Sequence, residues 1–141
     1  MITVVNRRVQ KRTALPPGTV RVYVGRPSPL GNPFNIGRDG TREQVIKRYE
    51  DWLRQHLVRG NTEPQNDVRK AFNYIFMEDL VGGVNLELEC WCAPLPCHAE
   101  VIKKLIQEEL EQGLQEANQR MAVRHARESR NGNLNHTVPK T

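Results

Sequence analysis

The sequence has little of what marks most function classes. No apolar run approaches the ~20 residues that a membrane-crossing helix requires. Mean hydropathy is -0.65, and 26% of the 141 residues are charged, so a membrane-spanning role is excluded. The opening MITVVNRRVQKR puts its basic cluster after a short apolar stretch and has no central apolar segment of the secretory kind, so a cytoplasmic protein is expected. There are only three cysteines, Cys90, Cys92 and Cys97, all in one short cluster, which excludes a disulfide framework. Aromatic residues make up 6% of the chain. Neither a phosphate-binding P-loop nor a GxGxxG fingerprint occurs. Helix-turn-helix, RNP and zinc-finger patterns are also absent, and no internal repeat is visible.

What is present is organised. A chain of 141 residues holds one domain. Residues 1–42 carry eight basic and one acidic residue, a balance of +7. Residues 43–118 carry eight basic and fourteen acidic, or -6, and residues 119–141 carry five basic and one acidic, or +4. Both ends are basic and the middle is acidic. The basic ends, with Arg7, Arg8, Lys11 and Arg12 and then Arg120, Arg124, Arg127 and Arg130, suit nonspecific contact with nucleic acid through phosphate, or simply a solvated surface.

Periodicity predicts the elements. Residues 2–5 and 20–24 are rich in β-branched residues and read as strands, joined by a wide hairpin loop or a short mobile excursion. Four glycines and three prolines between 25 and 40 give a loop of built shape. Thr41 and Gln44 form a capping box that opens a helix over about 42–58, stopped by Arg59, Gly60 and Asn61. A second helix over about 65–80 ends at Gly82 and Gly83. Leu86, Leu88, Cys90 and Cys92 alternate with Glu87, Glu89 and Trp91, a strand with both thiols on one face. From Cys97 or His98, apolar residues at helical spacing mark a long helix that fades near 118–125. The expected organisation is a small α/β or α+β domain over 1–118, with a sheet of three or more strands, three helices and room for Rossmann-like layering. Residues 119–141 are expected to form a basic disordered tail.

Two constellations carry chemistry. CWCAPLPCH compresses Cys90, Cys92, Cys97 and His98 into nine positions. These residues form a Cys3His set able to hold zinc. Alternatively, Cys97 at a helix N-terminus is a nucleophile with a lowered pKa, and His98 is its base. In the plainest reading the cysteines are small buried residues and His98 caps a helix. GRPSPLGNPF lies between a strand and a capped helix, where open α/β sheets bind ligands. Arg26 there is able to fork onto phosphate or carboxylate, beside Ser28, Asn32 and the glycines Gly25 and Gly31. The alternative is a rigid turn with a solvated arginine.

VYVGRPSPLGNPF, GTREQVIKRYEDWL and CWCAPLPCHAEVI, in that order, resemble the phage and bacterial family catalogued as domain of unknown function 4326. The resemblance covers about residues 20–106 and ties Gly25, Arg26, Gly31, Asn32, Pro33 and Phe34 to Thr41, Arg42, Tyr49 and Trp52, and to Cys90, Trp91, Cys92, Pro94, Cys97 and His98. It implies which residues belong together and carries no activity with it. If the blocks form one site, the Gly25–Phe34 and Cys90–His98 loops converge on one pocket. Arg26 and backbone amides then face an anion, Trp91 or Phe34 a flat ring, and Cys97 with His98 supplies chemistry or metal. A nucleotide or nucleoside-phosphate ligand, bound and in one version modified, fits that combination. The other reading is a zinc-stapled adaptor without turnover, binding nucleic acid or an acidic host protein through its basic ends.

Overall fold

Alternating β-branched and apolar residues form three short strands, β1 (Ile2–Asn6), β2 (Thr19–Tyr23) and β3 (Asn85–Cys90). The computed structural model of the protein describes residues 1–8, 14–58 and 66–136. β1 and β2 each pair in parallel with β3, in the order β1-β3-β2. The hairpin expected between the first two strands does not form, because the last strand in the sequence lies between them. Parallel strands need a crossing connection of about a dozen residues, which is why the segment after β1 is too long for a tight turn. Residues 9–13 of that segment, with Lys11 and Arg12, lie outside the described residues.

The register assigns each face. Ile2 and Val20 flank Leu86, and Val4 and Val22 flank Leu88, so these six residues share one apolar face. Glu87 and Glu89 point the other way, where Arg21 donates to Glu87 at 2.7 and 2.8 Å and Arg7 lies 3.6 Å from Glu89. The sheet is therefore apolar on one side and ionic on the other. Strand order also separates this fold from a Rossmann half, whose strands run 3-2-1 with the second in the middle, whereas here the third is in the middle.

Helix α1 (Arg42–Leu57) starts where its capping box predicts. Thr41 Oγ1 accepts from the Gln44 amide, and the Gln44 side chain accepts from the Thr41 amide. Val45, Tyr49 and Leu53 recur at helical spacing and are its buried residues. Helix α2 (Asp67–Val81) is capped by Asn66, buries Phe72 and Ile75, and packs against β3 and α1. The α1 stop at Arg59, Gly60 and Asn61 lies outside the described residues.

Helix α3 (His98–His136) opens after the cysteine loop. The chain divides into two units, Met1–Ile106 and Gln107–Thr141. In the first, Ala99, Val101, Ile102, Leu105 and Ile106 are buried in the core. In the second, the helix continues past 118–125 to His136, where the sequence predicts fraying and then a disordered tail. Good helix formers, with side-chain pairs such as Arg124 with Glu128 at 3.0 Å, carry it without a buried face. Among the described residues no helix is long and apolar enough to cross a membrane.

Candidate ligand-binding site

Parallel strands send all their outgoing chain ends to one edge of the sheet, and here that edge gathers the sequence blocks. Val24 continues the ladder from β2 by donating to the Glu89 carbonyl at 3.0 Å, and Arg7 continues it from β1 by donating to the Cys90 carbonyl at 2.8 Å. The loops after β2 and β3 are thereby neighbours. Between them and α1 lies a cavity of about 370 Å³, lined by Gly25, Arg26, Asn32, Phe34, Ile36, Arg42, Val45, Ile46, Trp91, Cys92, Pro96, Cys97 and His98. That volume suits a small organic ligand, for which pockets run about 300–1,000 Å³.

The loop after β2 is held by its own side chains. Asn32, 8% exposed, accepts from the Phe34 amide at 2.9 Å and donates to the Val45 carbonyl at 3.3 Å, fastening loop to α1. Tyr49 donates to the Leu30 carbonyl at 2.7 Å in the core. Glycine is required at two points by close approach. A Cβ at Gly25 would stand 2.6 Å from the Tyr23 hydroxyl, and one at Gly31 about 3.0 Å from the Arg26 backbone. Both approaches are made to the protein itself. Gly25 still lines the cavity, whereas Gly31 and Ser28 do not.

The cysteine loop is positioned from β1. Asn6 at the end of that strand donates to the Ala93 carbonyl at 2.6 Å and the Trp91 carbonyl at 3.2 Å. The strand stops at Cys90, so Cys92 is not on the buried strand face with it but in the following turn, half-buried and lining the cavity. The two prolines end the ladder before the predicted last alternation.

His98 has one defined tautomer. Its Nε2 lies 2.6 Å from the Val24 carbonyl, which only accepts, so Nε2 carries the proton and Nδ1 presents its lone pair. Cys97 Sγ lies 3.3 Å from that Nδ1. Burial, at 8% exposure, lowers the His98 pKa, and the nearby Arg26 charge lowers it further against the opposing bond to Val24. The ring is neutral at neutral pH.

The thiols divide the expected roles. A helix N-terminus is predicted to lower the Cys97 pKa, and the Ala99 amide does act that way. The larger effects run upward: the interaction with the Cys90 sulfur and burial both favour the protonated thiol. His98 Nδ1, 3.3 Å away, is an acceptor for the thiol proton. Cys97 therefore rests as a thiol. The Cys90 pKa is lowered, first by its interaction with Cys97 and then by the amides of Cys92 and Ala93, against burial. The more acidic sulfur lies outside the cavity lining and the more basic one lies within it. Among the described residues, no three His, Cys, Asp or Glu side chains converge to hold a metal ion.

Arg42, to which sequence reasoning gave no role, lines the cavity. It reaches from the first position of α1 to the Pro96 carbonyl at 3.1 Å. A cation at a helix N-terminus opposes the helix dipole, and that local misfit was the available signal. Arg26 donates to Asn35 Oδ1. Among the described residues neither arginine has a carboxylate partner.

A small parallel α/β domain with a cavity at the carboxyl ends of its strands defines the class of protein. The chain belongs to the family described as Domain of unknown function (DUF4326), whose model matches residues 5–108. No curated protein and no solved structure matches the chain.

Proposed function

We propose that the cavity binds a nucleotide or nucleoside phosphate. The observation that carries this reading is the composition of the lining. Two guanidinium groups, Arg26 and Arg42, stand beside Phe34, Ile36, Pro96 and Trp91, and no carboxylate is among the lining residues. Such a lining disfavours a cation, leaves a neutral apolar ligand with two unanswered charges, and suits a flat ring bearing an anion. Each arginine is oriented by one hydrogen bond to a neutral acceptor, which leaves its other N–H groups for phosphate oxygens.

A charge-assisted hydrogen bond contributes about 1.5–3 kcal/mol, so Arg26→Ala or Arg42→Ala should weaken binding about 10- to 150-fold. Calorimetry with the nucleoside monophosphates checks this, with circular dichroism confirming the fold. The corresponding nucleosides, lacking phosphate, should bind far more weakly. No heat with any monophosphate, or unaltered affinity in both variants, refutes the reading.

One contact favours a second reading, in which the bound ligand is also modified. Cys97 Sγ, inside the cavity, lies 3.3 Å from the unprotonated Nδ1 of His98. In that reaction sulfur attacks an electrophilic carbon of the ligand, its proton passes to Nδ1, and the leaving group departs with the electrons of the broken bond. The neutral resting thiol and the lowered pKa of His98 make this a slow nucleophile and a weak base. A covalent adduct at Cys97 seen by mass spectrometry, lost in Cys97→Ala, is its test. The zinc-stapled adaptor reading of Cys90, Cys92, Cys97 and His98 has no converging ligand geometry to support it.

A further inference from the structure

The cavity mouth carries more positive charge and more aromatic surface than a single nucleotide uses. Trp91 is 48% exposed although it lines the cavity. Its ring is nevertheless fixed. Nε1 donates to the Tyr23 hydroxyl at 2.8 Å, and that hydroxyl donates to the Arg26 carbonyl. Asn6 holds the Trp91 backbone carbonyl, and its Oδ1 accepts from the Arg8 amide at 2.8 Å. Exposed indole usually lowers its cost by packing down, so a half-exposed indole held in place by its Nε1 bond is set for a partner.

The neighbours of that ring are cations. The Arg7 guanidinium lies 4.6 Å from the Tyr23 ring centre and 5.5 Å from that of Trp91, and the Arg8 guanidinium lies 5.8 Å from Trp91. Arg7 shares its charge with Glu89 at 3.6 Å. Arg8 has no carboxylate partner among the described residues. Neither arginine lines the cavity, so neither is needed by a mononucleotide bound there. A fixed aromatic ring with two guanidinium groups within about 6 Å over it, lining a pocket for one nucleotide, has the two components by which proteins hold single strands: stacking platforms and backbone-tracking cations.

We infer that the ligand is a single-stranded nucleic acid, one nucleotide of which enters the cavity while the adjoining base stacks on Trp91 and its phosphates meet Arg7 and Arg8. This rests on the nucleotide reading of the cavity and extends it from a free metabolite to a strand.

The test compares fluorescein-labelled random-sequence tetranucleotides with unlabelled mononucleotide pools as competitors, in fluorescence anisotropy on the full chain. Tetranucleotides should bind at least about 10-fold more tightly, the scale of one stacked base. The double variant Arg7→Gln/Arg8→Gln should lose that advantage and keep its mononucleotide affinity. With two phosphate contacts removed, the slope of log affinity against log salt should fall by about 1.4. Trp91→Ala should weaken tetranucleotides more than mononucleotides. Equal affinity for both pools overturns the strand inference and leaves the nucleotide pocket standing. Equal weakening of both pools in the arginine variant also overturns it, as does equally tight binding of a blunt duplex. Absence of binding by either pool overturns the pocket as well.

Discussion

Replacing His98 by glutamine should flatten the acid limb of the stability curve. The neutral ring is held by a bond from Nε2 to Val24, in a buried position beside the Arg26 charge. Its pKa in the folded protein is therefore below the ordinary imidazole value of about 6.5. Between the folded and unfolded pKa values the unfolded chain binds more protons, so stability rises with pH there. The contribution is fully present above about pH 6.5 and is lost as pH falls toward the folded value. One proton sets the steepest slope at about 1.4 kcal/mol per pH unit. For a unit the size of Met1–Ile106, that is roughly 5–10 °C of midpoint per pH unit.

Glutamine keeps an N–H donor at the end of the side chain, able to serve Val24, and does not titrate. The difference between wild type and His98→Gln should therefore widen as pH falls below about 6.5, until the folded pKa is passed, in urea or thermal unfolding. Asp39 and Glu50, whose pKa values are lowered by hydrogen bonds from the Asn35 amide and from Lys104, lose their contributions only below about pH 4.5. The Asp39 and Glu50 contributions are common to the two proteins and cancel in the difference. His98→Ala, by contrast, strands the Val24 carbonyl and should cost about 1–3 kcal/mol even at pH 7.5. Parallel curves for wild type and His98→Gln would refute the assignment of a buried neutral imidazole.

Two other outcomes follow from the same contacts. Tyr49→Phe removes the buried donor to Leu30 and should lower stability by about 1–3 kcal/mol in urea unfolding. Since no three ligand side chains converge among the described residues, chelator treatment should leave the thermal midpoint unchanged. Stoichiometric zinc in elemental analysis, with a fall in midpoint on chelation, would instead establish the zinc staple.

The elements were legible because their causes are local. The capping box of Thr41 and Gln44 sets the start of α1 at Arg42, and the alternation of Leu86, Leu88 and Cys90 marks β3, from residues a few positions apart. The same alternation runs on to Cys92 on paper, but Pro94 and the bonds from Asn6 turn the chain first. Fading apolar periodicity hid the far end of α3, because helix propensity and side-chain pairs need no buried face.

Composition, caps and periodicity thus determined that this chain makes a small α/β domain, and motif order marked the Gly25–Phe34 and Cys90–His98 blocks as candidates that belong together. Only the tertiary structure decided that β3 separates β1 from β2, bringing those blocks together at one sheet edge. It also decided that Arg42 lines the cavity, that Arg7 and Arg8 lie over Trp91, and that burial beside Cys90 raises the Cys97 pKa. The reason is distance along the chain. Trp91 and Tyr23 are 68 residues apart in sequence, and His98 and Val24 are 74 apart. Pairing and burial at such separations set strand order and proton affinity, and no local pattern encodes them.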